Sequence, residues 1–127
     1  MNKYTDLEQS KELYKIFPNA STGRWWEEWP DGKCEICQDI NLAFKDSKLY
    51  PQHSLHSILE LLPEEITKDR YDSNIVDNYV LRMGKRSAWY EWDANSYIYL
   101  DKITFSANDL LTALVDLSKW LHINQYI

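Results

Sequence analysis

Two cysteines and two histidines stand where a metal could use them: Cys34-x2-Cys37, a gap of fifteen residues, then His53-x2-His56. Two thiolates and two imidazoles form the tetrahedral donor set of a structural zinc, and the gap is close to that of a finger. The spacing inside each pair argues the other way. Cys34-Glu35-Ile36-Cys37 has no glycine or proline to turn it, and strand residues three apart point to opposite faces. The His-x2-His step is short, and no basic recognition helix precedes it. Cys34, Cys37, His53 and His56 are thus a weak zinc candidate; the expectation is two free thiols, two histidines at a helix start, and no cofactor. A redox dithiol would need its Cys-x-x-Cys at a helix N-terminus, whereas the next helix start lies seventeen residues beyond Cys37.

The second constellation is Trp25-Trp26-Glu27-Glu28-Trp29. Indole faces beside carboxylates can stack on a sugar or a cation while the acids take hydroxyls or charge. In a strand Trp25, Glu27 and Trp29 share one side, and Trp26 and Glu28 share the other. One side is then buried and the other available. Trp25, Trp26, Glu27 and Trp29 are the candidate binding residues, with Trp89 from a later strand. The competing reading places them all in the core, and an exposed aromatic patch serves a protein partner more often than a small ligand.

Catalytic arrangements are thin. His53 and His56 are bases, and Ser54 and Ser57 hydroxyls, within one helical turn, but no nucleophile elbow, orienting acid or oxyanion hole accompanies them. Glu27-Glu28 and Glu64-Glu65 are adjacent and so point apart. Gly84-Lys85-Arg86-Ser87 lacks the upstream glycine of a phosphate loop, and the chain has three glycines in all. The expectation is a protein that is not an enzyme.

These residues need elements to hold them. Ser106 to Ile127 is the clearest: Leu110, Ala113, Leu114, Leu117, Trp120 and Leu121 fall on one side of a helix, with Ser106 as its capped start and Asp109 at the positive end. Thr5 with Glu8 reads as a capping box opening a helix that Pro18-Asn19 ends. Arg24–Trp29 and Lys33–Gln38 form a hairpin about Pro30-Asp31-Gly32. Asn41 to Gln52 reads as loop. Ser54 caps a short helix ended by Pro63, and Glu64 to Ser73 reads as charged surface. Runs at Ile75–Met83, Ser87–Asp93 and Tyr97–Leu100, joined by short turns, make an antiparallel meander over about residues 75–100. The predicted architecture is one α+β domain over 1–127. The meander and the N-terminal hairpin pack against the long C-terminal helix, with an N-terminal helix and a short central helix.

The composition limits partners. Twenty acidic against fourteen basic residues give a net charge of −6, which repels phosphate, so neither nucleic acid nor an anionic membrane is an expected partner. The local group Arg82, Lys85 and Arg86 reads as a solvated turn. No stretch reaches the ~18 apolar residues of a spanning helix, and the first dozen residues carry no apolar signal core. Two cysteines in such a chain read as free thiols, and the expected location is cytoplasmic. An apolar fraction of 44% argues against disorder.

Three places in order resemble a family of short uncharacterised proteins of gut bacteria and their phage-like mobile elements. They are Thr5-Asp6-Leu7-Glu8-Gln9-Ser10-Lys11 with Ser21-Thr22, Ser54-Leu55 leading into Leu59-Glu60-Leu61-Leu62-Pro63, and Ala113 through Trp120-Leu121 to Tyr126-Ile127. Leu111-Thr112-Ala113 and His56 depart from the pattern, which has an acid before the alanine and a small residue in place of the histidine. The resemblance implies a fold like the one above and assigns no activity, cofactor or catalytic residue. The function expected is an acidic, non-enzymatic protein–protein interaction protein, accessory or inhibitor-like. The alternative is a domain for a small ligand or zinc, using the Trp25–Trp29 hairpin or the Cys/His set.

Overall fold

In the C-terminal helix, α3 (Leu110–Ile123), apolar residues occupy more than one stripe, and the structure uses them all. Leu111, Ala113, Leu114, Val115, Leu117 and Leu121 are buried. Helices α1 (Leu7–Ile16) and α2 (Leu55–Leu61) pack against α3, and so do strands β6 (Ser87–Trp92) and β7 (Lys102–Ser106), so more than one side is covered. Ser118, fully buried on the same helix, satisfies its hydroxyl on Leu114 O at 2.7 Å. Each buried leucine contributes about 1.5–3 kcal/mol relative to exposure. The computed structural model describes residues 3–69, 76–92 and 102–127.

The architecture is α+β, with three helices and two antiparallel sheets among the described residues. The larger sheet runs in the order β4 (Glu65–Asp69), β5 (Val76–Met83), β6, β7. Tyr79 and Leu81 of β5 and Ala88 and Tyr90 of β6 turn toward the α3 core, as their alternation predicts. Tyr90 donates to Pro63 O at 2.7 Å, and burial raises its phenol well above the ordinary range. The predicted third strand at Tyr97–Leu100 lies outside the described residues; on the side away from β5, β6 pairs with β7.

The smaller sheet has the order β2 (Cys34–Cys37), β1 (Trp25–Glu28), β3 (Lys48–Pro51). The predicted hairpin forms. Its three-residue loop ends on Gly32, whose φ of +88° costs a side-chain residue strain, and Trp29 N donates to Lys33 O at 2.9 Å.

Four expectations are corrected. The cap of α1 is Asp6, not Thr5: Asp6 Oδ1 accepts from Gln9 N at 2.8 Å, and Gln9 Oε1 accepts from Asp6 N. Thr5 is fully buried, and its hydroxyl accepts from His53 N at 2.9 Å and bonds Ser10 Oγ at 2.7 Å, so it has tertiary partners instead. The cap of α3 is Asp109, accepting from Thr112 N at 2.8 Å, because Ser106 closes β7 opposite Ser87. Residues 48–51, read as loop, are β3. Residues 65–69, read as charged surface, are β4, with Ile66 buried.

Candidate functional site

Register assigns the residues of the small sheet to two faces. Trp26 pairs with Ile36 and Tyr50, and Glu28 pairs with Cys34 and Lys48; these six share one face. Trp25, Glu27, Glu35, Cys37, Leu49 and Pro51 share the other.

Helix α1 covers the first face. Trp26 Nε1 donates to Thr5 O at 3.0 Å, and Tyr14 meets Tyr50 edge-on at 5.6 Å. Lys11 donates to Glu28 Oε2 at 2.8 Å; this hydrogen bond, ahead of the carboxylate's charge, raises the Lys11 pKa above its ordinary 10.5. Lys11 also sits 5.6 Å from the Tyr50 ring centroid.

The second face is crossed by residues 38–47, which carry the chain from β2 over to β3. Glu27 holds this crossover in place. Its carboxylate, 3% exposed, accepts from Phe44 N and Ser47 Oγ, both at 2.7 Å. Phe44 in turn meets Trp29 edge-on at 5.8 Å. Ile40, Leu42 and Phe44 are exposed by 52, 76 and 65%. Three large apolar side chains thus stand in water, two of them on the 3-10 turn Ile40–Leu42 that Asp39 caps and one on the Phe44 whose N–H Glu27 holds.

At the open end of the sheet the Trp29–Pro30 wall separates two clefts. One, of about 670 Å³, is lined by Phe44, Lys45, Asp46 and Ser47 against Asp31 and Lys33. The other, of about 380 Å³, lies between Glu28, Trp29, Pro30 and Gly32 on one side and Asp46 and Lys48 on the other.

The candidate binding residues separate accordingly. Trp29 lines both clefts. Glu27 and Trp26 are spent on internal hydrogen bonds, and Trp25 is half-buried opposite Cys37 and Pro51. Trp89 stands in the other sheet between Arg82 and Thr104 and lines neither cleft. The residues that sequence reasoning passed over are Phe44, Asp46 and Lys48. Their one signal was the apolar set Ile40, Leu42 and Phe44 set among the turn formers Asp39, Asn41, Asp46 and Ser47.

The Cys/His set does not converge. Cys34 is exposed and Cys37 buried, on opposite faces of β2. His56 reaches out to Glu60 at 2.9 Å, while His53 is buried beneath Thr5. Among the described residues no three His, Cys, Asp or Glu side chains gather for a metal.

His53 Nδ1 lies 2.7 Å from Ser57 Oγ, the pairing that activates a serine nucleophile. No described residue bonds Nε2, so no acid orients the ring, and burial pushes its pKa down to about 4. The pair closes the start of α2 beside the Ser54 cap. Among the described residues no helix is long and apolar enough to cross a membrane. Comparison with family models, with characterised proteins and with solved structures gives no match.

Proposed function

We propose that this chain is a non-enzymatic interaction protein that engages another protein through the crossover 38–47. The single observation behind this reading is the exposure of Ile40, Leu42 and Phe44, the last of them against Trp29. Large apolar and aromatic anchors grouped on a fixed backbone are what protein interfaces bury, and the fixed backbone lowers the ordering cost of binding. A net charge of −6 favours a partner whose contact surface is basic, which fits an accessory or inhibitor-like role.

The test uses the tagged chain as bait in a lysate of its source, beside a Leu42→Asp, Phe44→Asp double variant. The expected result is a stoichiometric partner recovered by the parent chain and lost with the variant. Recovery of the same partner by both would contradict the reading.

A further inference from the structure

The smaller cleft at the end of the sheet is a second feature, beside the crossover. Its walls are the Trp29 indole, Pro30 and the side-chain-free Gly32, and a Cβ added at Gly32 would meet nothing within 4 Å. Its polar groups are Glu28, Asp46 and Lys48. At about 380 Å³ it falls in the range of small-molecule sites, which pair an apolar wall with a few placed polar groups.

Three of its walls are fixed before any ligand arrives. Glu28 is held by Lys11 at 2.8 Å, Trp29 by the Phe44 edge, and the segment around Asp46 by the Phe44 N–H and the Ser47 hydroxyl on Glu27. The side chains of Asp46 and Lys48 make no hydrogen bond or ion pair to another described residue and stand exposed, one acceptor and one donor lining the cleft.

Charge decides the ligand class. Glu28 and Asp46 are balanced by Lys48 and by the Lys11 ammonium on Glu28. An ionic ligand would meet a like charge for each opposite one, so the cleft offers it little net attraction. A neutral ring rich in hydroxyls loses nothing to that balance. Its hydroxyls donate to the two carboxylates and accept from Lys48, and its C–H face lies on the indole. We propose that the cleft between Glu28, Trp29, Asp46 and Lys48 binds a neutral saccharide ring. The cleft shares Asp46 with the crossover, but Ile40, Leu42 and Phe44 do not line it, so its test is read apart from the protein-partner reading.

The experiment follows the indole N–H resonance of Trp29, assigned by Trp29→Phe, while the whole chain is titrated with maltose, cellobiose, lactose and N,N′-diacetylchitobiose. Glucosamine and galacturonate serve as cationic and anionic controls. At least one neutral disaccharide is expected to give a saturable shift, about tenfold weaker in Asp46→Asn and in Lys48→Gln. Both variants alter exposed, unpartnered side chains, so they keep the fold. No saturable shift from any of the four up to about 20 mM, which corresponds to negligible affinity, would overturn the proposal. So would a shift that both variants leave unchanged, or one given only by a charged control. None of these outcomes touches capture through Leu42 and Phe44, which is read separately.

Discussion

Phe44 N and Ser47 Oγ both end on one oxygen of Glu27, and no described cation pairs with that buried carboxylate. Removing it leaves the Phe44 N–H without its acceptor, while the Ser47 hydroxyl keeps Phe44 O at 2.7 Å. Glu27→Ala is expected to cost about 2 kcal/mol in urea unfolding and to free the crossover, visible as faster amide exchange at Phe44. Glutamine, which keeps one acceptor oxygen, should cost less. His53 gives a pH signature. Its pKa is about 4 in the folded chain against 6.5 for the ordinary imidazole, so the unfolded chain binds the proton more tightly. Stability from this group is complete above pH ~6.5 and falls as the pH drops toward 4, by up to about 3 kcal/mol. A His53→Gln variant should lose that slope while the carboxylates keep theirs. Glu27 was read as a ligand-facing acid because the WWEEW alternation fixes which residues share a side. Alternation says nothing of which side another part of the chain will cover.

Caps separate local pattern from tertiary context at the level of elements. Asp109→Ala should cost about 1 kcal/mol in thermal or urea unfolding, and Ser106→Ala almost nothing, since the strand and not the helix holds Ser106. The reverse order would mean that α3 begins where its sequence alone suggests. The helices and the hairpin were legible because apolar spacing and the Pro30-Asp31-Gly32 turn are local signals. Strands β3 and β4 were not. Lys48–Pro51 ends on a proline with no N–H to donate, tolerable because Gln52 N bonds Arg24 O and leaves Pro51 facing the free edge. In Glu65–Asp69 the one large aliphatic residue, Ile66, gives too little alternation to read. Both strands owe their existence to the partner beside them.

For the whole molecule, the core and the contact surface lie in different places. Leu117→Ala, deep under the sheet, should cost about 2–5 kcal/mol and weaken every activity together. Leu42→Asp with Phe44→Asp removes exposed apolar surface and should cost no more than about 1.5 kcal/mol in unfolding, the share of the Phe44–Trp29 ring pair, while abolishing capture of a partner. That separation of stability from binding is the central claim, and a photo-crosslinking side chain tests it most directly. Placed at position 42 it is expected to give one discrete adduct in the source lysate, and none when placed at position 56 on the exposed side of α2. Equal labelling from both positions, or labelling from position 56 alone, would contradict the assignment of the crossover as the contact surface.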